Sequence, residues 1–113
     1  MPKVIHFEIP ADEPERAVKF YKDVFDWDID KWNGPIDYWL ATTGAENLPG
    51  INGAIMERTD EKGILIAMEV SSVDEYGEKI LKSGGKIIMP KDIIPGIGYI
   101  ASFEDTEGNI FHI

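Results

Sequence analysis

At 113 residues the chain is long enough for one domain with a real core, and 43% hydrophobic with 28% charged residues is an ordinary globular composition. Acidic residues outnumber basic ones 21 to 11, a formal charge of −10, and such a surface repels phosphate backbones and anionic lipid, which argues against nucleic acid and membrane as partners. Cysteine is absent, the N-terminal Met1-Pro2-Lys3-Val4-Ile5-His6 lacks a signal-peptide apolar region, and no stretch approaches the ~20 apolar residues of a membrane span, so the expected compartment is the cytoplasm.

Val4 to Ile9 is β-branched and weakly alternating, a strand that Pro10 is expected to stop. Asp12 with Glu15 has the spacing of a capping box, and Pro14 sits in the first turn, where its missing N–H costs nothing. The helix that follows runs to about Phe25 and is expected to bury Ala17, Phe20, Tyr21, Val24 and Phe25. Trp27 to Trp32 and Ile36 to Thr43 read as a hairpin about Asn33-Gly34-Pro35, and Gly53 to Arg58 as a fourth strand.

The second half repeats the plan. Ile64 to Val70 is a strand, and Ser72 with Glu75 forms another capping box. A helix turns Val73, Tyr76, Ile80 and Leu81 inward and stops at Gly84-Gly85. Lys86 to Met89, Gly98 to Glu104 and Asn109 to Ile113 are the remaining strands. The halves match at an offset of roughly 60 residues, as a duplication produces. The expected fold class is therefore α+β: two tandem βαβββ modules, about 1–58 and 63–113, joined by the charged turn 59–63. Each helix covers one sheet face, so the modules are expected to form a curved mixed sheet whose inner faces enclose a cleft, within one chain or across a dimer. Function is sought there, and the apolar surface of such a half-open arrangement predicts a homodimer.

The run His6-Phe7-Glu8-Ile9-Pro10-Ala11-Asp12, with Glu15-Arg16-Ala17 and Phe20-Tyr21, resembles the first module of the vicinal oxygen chelate superfamily. That family contains glyoxalase I, extradiol dioxygenases, and the fosfomycin and bleomycin resistance proteins. Val70-Ser71-Ser72-Val73-Asp74, Gly84-Gly85 and Asp105-Thr106-Glu107-Gly108-Asn109 resemble the second module. The likeness spans nearly the whole chain and is specific for the fold rather than for an activity. Within the family the chain looks most like the small glyoxalase-related proteins.

In metal-dependent members the first, fourth, fifth and eighth strands each supply one ligand. The resemblance places these positions on His6, at or beside Glu57, on Leu65 and on His112, and it implies a possible divalent metal held by His6, Glu57 and His112. Leu65 departs from the family's histidine and has no donor atom. Glu8 and Glu69 share side-chain parity with His6 and Leu65, so both are candidate cleft-facing carboxylates. Tyr38, Trp39 and Tyr99 are the aromatic candidates for a ligand wall, whereas Trp27 is expected to pack under the first helix. Against these stand plainer readings: histidines hydrogen-bonded as packing residues, carboxylates solvated or paired with lysine or arginine, and aromatics in the core. The expected function is binding of a small molecule in the cleft. The alternatives are a metal-dependent lyase, isomerase or dioxygenase, and an assembly subunit whose cleft is filled by its own side chains.

Overall fold

The computed structural model describes residues 1–59 and 63–113, so most of the expected linking turn, residues 60–62, lies outside the described residues. Two compact units are present, residues 5–64 and residues 1–4 with 65–113. Both have the expected α+β make-up with mixed strand pairing.

β1 (Lys3–Ala11), which belongs to the first unit from Ile5 onward, is followed there by α1 (Pro14–Phe25), β2 (Asp28–Lys31), β3 (Tyr38–Thr42) and β4 (Asn52–Glu57). Strand β1 pairs parallel with β4, and β3 lies antiparallel between β4 and β2, in the order β2-β3-β4-β1. β1 was expected to stop at Pro10 but continues through it to Ala11. Proline's fixed φ suits extended backbone, and its missing N–H matters only where a ladder bond needs it. Beyond it the Ala11 carbonyl accepts from the Arg58 N–H at 2.8 Å.

The register puts odd-numbered residues of β1, β3 and β4 on one face, where Ala11, Ile29, Ala41 and Ile55 are buried under Ala17, Val18 and Tyr21 of α1. Trp27 packs there as expected, its ring stacked on Tyr21 at 5.0 Å. Phe20, Val24 and Phe25 do not go inward: each is 56–57% exposed. The helix is rolled so that Val18 and Tyr21 lead towards the sheet, which turns the Phe20–Val24 stripe outward. The expected Asp12 cap is also corrected. Glu13 is the N-cap, without a side-chain cap bond, and Asp12 instead accepts from Arg58 Nε at 2.9 Å.

The second unit contains β5 (Leu65–Glu69), α2 (Val73–Lys82), β6 (Lys86–Ile94), β7 (Gly98–Glu104) and β8 (Ile110–His112). Strands β5 and β8 are parallel, β7 is antiparallel to both β8 and β6, and the order is β5-β8-β7-β6. Ala101, Phe103 and Ile113 form the buried core beneath Val73, Tyr76 and Ile80. Leu81, expected inside, is 48% exposed. The Ser72 cap is present, its Oγ accepting from Glu75 N–H at 3.1 Å, and the Gly85 N–H closes the helix on the Ile80 carbonyl at 2.9 Å. β6 extends past its expected end at Met89 to Ile94, with register shifts around Met89 that admit Pro90 to a strand paired on one side in this unit.

Candidate functional site

Strand alternation sends His6 and Glu8 to the sheet face opposite α1, and the pairing of Met56 with both Pro10 and Tyr38 brings Tyr38 to that same face. The three side chains form a hydrogen-bonded chain. Tyr38 Oη donates to Glu8 Oε2 at 2.5 Å, and His6 Nε2 lies 2.8 Å from the same Oη. A phenol has one proton. With that proton given to the carboxylate, Tyr38 oxygen accepts from His6, which fixes hydrogen on Nε2.

The His6 and Tyr38 rings are near-parallel, 15° apart with centroids 6.4 Å apart, and Trp32 meets Tyr38 edge-on at 6.1 Å. Gly34 lies beneath the Trp32 ring, where a Cβ would collide with it, so the turn's glycine is required for this cover. Burial, with the Glu8 charge and its hydrogen bond adding to it, drives the Tyr38 phenol far above its ordinary range. Tyr38 is therefore a neutral donor at any physiological pH. Such an arrangement can hold a polar ligand group in fixed orientation and can relay a proton between imidazole, phenol and carboxylate.

The other expected residues are distributed elsewhere. Trp39 points to the α1 face, packs against the first core and carries Lys31 Nζ 5.5 Å from its ring. Its assignment to one wall with Tyr38 fails because consecutive strand residues face opposite ways. Glu57 is corrected in the same way: it is exposed and paired in register with Ala11, on the α1 face, while Met56 occupies the face of His6. His112 lies in the second unit, in register with Ala67 and Ser102 on the face opposite α2, and its Nδ1 is 2.7 Å from Ser102 Oγ. Ser102 is buried and was not singled out by the sequence, because its place opposite His112 is set by the pairing of β7 with β8. Leu65 is buried and shares that face by parity with Ala67. Glu69 is exposed at the end of β5 and lines a shallow depression of about 320 Å³ with Val70, Ser71 and Tyr76. Tyr99 is 59% exposed, with Lys91 Nζ 5.0 Å from its ring and that amine 2.9 Å from Asp74.

The Asp105–Asn109 turn delivers His112 to β8. Asp105 Oδ1 accepts from the Glu107 and Asn109 N–H groups at 2.8 and 2.9 Å, and Oδ2 from Asn109 Nδ2 at 3.0 Å. These bonds, those from Asn109 foremost, hold the Asp105 carboxyl below its ordinary range. Gly108 adopts φ +83°, the left-handed conformation that makes glycine the suitable residue there.

A divalent metal does not fit the donor set. Of the four family positions, Leu65 has no donor atom, the fourth-strand side chain on the His6 face is the Met56 thioether, and His6 Nε2 is committed to Tyr38. Among the described residues no three His, Cys, Asp or Glu side chains are grouped to hold a metal ion.

Comparison with known proteins agrees with the architecture. Residues 3–113 match the family described as the Glyoxalase/Bleomycin resistance protein/Dioxygenase superfamily. A glyoxylase-like domain-containing protein of Didymella fabae is 31% identical over 113 residues, covering 90% of this chain and 84% of that protein. A glyoxalase/bleomycin resistance protein/dioxygenase superfamily member from Vibrio splendidus is 13% identical, covers 99% of this chain and 97% of its own, and superposes with a TM-score of 0.70. Streptomyces coelicolor methylmalonyl-CoA epimerase is 14% identical, with coverage of 97% and 94% and a TM-score of 0.69. No helix among the described residues is long and apolar enough to cross a membrane.

Proposed function

The chain belongs to the Glyoxalase/Bleomycin resistance protein/Dioxygenase superfamily, and from that premise we propose that it binds a small organic molecule on the sheet face carrying His6, Glu8 and Tyr38. The observation that carries this reading is the hydrogen-bonded chain of those residues, 2.8 and 2.5 Å long at its two links, on the face of the sheet that α1 leaves uncovered. Partly buried polar groups held in one geometry cost stability unless they are satisfied, and they offer fixed donors and acceptors to a ligand. Glu8 is the group that would receive a hydroxyl, amide or amine of the ligand, and Trp32 flanks it with an aromatic edge. We also propose that the protein acts as a homodimer and resides in the cytoplasm, on its exposed apolar residues, its acidic surface and its lack of cysteine.

The test is a nuclear magnetic resonance titration with bleomycin and with a panel of small carboxylates, amines and carbonyl compounds. Shifts are expected to cluster on His6, Glu8, Tyr38 and the Trp32 indole. Glu8→Gln, which weakens a charge-assisted bond, is expected to raise Kd about tenfold or more. Shifts confined to the α1 face, or an unchanged Kd in Glu8→Gln for a ligand that does bind, count against the reading.

A further inference from the structure

We propose that Tyr38 has replaced the metal as the partner of the first-strand histidine, so that His6 serves this chain as a fixed hydrogen-bond donor and the four family metal positions form no divalent-metal centre. The inference rests on the direction of two hydrogen bonds and on the register of β1, β3 and β4, and it stands whether or not this face binds an organic ligand.

Tyr38 Oη lies 2.5 Å from Glu8 Oε2 and 2.8 Å from His6 Nε2. An ionised carboxylate only accepts, so the single phenol proton points to Glu8 and the proton of the second link sits on His6 Nε2. A protonated ring nitrogen has no lone pair to give a metal, because a histidine ligand binds through a bare nitrogen. Metal on His6 Nε2 would therefore break the link to Tyr38 and leave that half-buried phenol short of a donor. The same register that brings Tyr38 beside His6 turns Glu57 to the α1 face and leaves Met56 on the face of His6. A soft thioether there, and the buried Leu65 in the second unit, supply none of the hard or borderline donors that a divalent ion prefers. His112 Nδ1 is engaged with Ser102 Oγ at 2.7 Å. The histidine and the tyrosine are thus one device: His6 orients Tyr38, and Tyr38 orients Glu8.

The experiment uses the full chain without an affinity tag. Long-range proton–nitrogen correlation spectra resolve both imidazoles, and His112→Gln identifies which set belongs to His6. His6 is expected to show the Nε2–H pattern, and its signals are expected to stay sharp after one equivalent of Mn²⁺ or Co²⁺. In Tyr38→Phe the pattern is expected to shift towards a mixture of tautomers. Three results would overturn the proposal: an Nδ1–H pattern in the unsubstituted protein, a Tyr38→Phe spectrum that keeps the original pattern, or paramagnetic loss of the His6 signals in the unsubstituted protein at stoichiometric metal. Should Tyr38→Phe fail to fold, the tautomer and metal readings on the unsubstituted protein decide alone. A negative outcome here leaves the organic-ligand titration untouched, since that experiment reads Glu8 and Kd.

Discussion

Tyr38 is the residue on which the candidate site turns, and its ionisation gives a direct check. Its phenol is held above the ordinary value near ~10, first by burial and then by the Glu8 charge and hydrogen bond. In the unfolded chain the phenol ionises as pH passes ~10, while in the folded chain it stays protonated. A raised folded value therefore contributes its full stability below ~10, and that contribution is lost as pH rises above it. Urea midpoints measured at pH 8 and at pH 10.5 are expected to fall more steeply for the unsubstituted protein than for Tyr38→Phe, which has no phenol to ionise. Parallel decline of the two proteins would show that Tyr38 is not protected. At pH 8 Tyr38→Phe is expected to cost about 1–3 kcal/mol, because it leaves half-buried partners short of a bond.

The two helices share a plan but differ at their starts, and that difference is measurable. Ser72 caps α2 through Oγ, and Ser72→Ala is expected to cost about 1 kcal/mol. Asp12 caps nothing; it pairs with Arg58 on the surface, its side chain 73% exposed, so Asp12→Ala is expected to cost under about 1 kcal/mol and to lose even that in high salt. Urea denaturation of both variants at low and high salt checks the ranking, and equal losses would sink it. This pair also shows where the sequence was legible. Among the described residues, order and type of the eight strands and two helices followed from periodicity, the Ser72 capping box and glycine stops, because those signals are local. Which of Asp12 and Glu13 begins α1 was not local: it depends on Arg58, 46 residues on, competing for the Asp12 carboxylate. The end of β6 was hidden for a related reason, since Pro90 reads as a breaker until the register shifts around it are seen. At the site, His6, Glu8 and Tyr38 were each identified singly, but their union is set by the register of three strands. That register also turned Trp39 and Glu57 to the far face.

At the scale of the molecule, apolar surface and charge pull in opposite directions. Phe20, Val24 and Phe25 on α1 are each more than half exposed, and along β6 and its turn Ile87, Ile93 and Ile97 are 50%, 63% and 77% exposed. Large side chains grouped this way on single elements favour association, and a second copy of the chain is the partner always at hand. The opposing term is a formal charge of −10 on each copy, which repels at long range and is screened beyond about 10 Å at ~0.1 M salt. An interface held by apolar contact between like-charged subunits should therefore tighten as salt rises, whereas one held by ion pairs should loosen. Sedimentation velocity at micromolar concentration is expected to give twice the chain mass, with the dimer fraction growing between low and high salt. Placing a carboxylate on one surface at a time, in Phe20→Glu and in Ile93→Glu, is expected to return the mass to that of one chain for whichever element forms the contact. Both positions lie outside the buried cores, so folding should survive the change. A single-chain mass at every salt concentration would overturn the homodimer, and a dimer that weakens with salt would overturn its apolar origin.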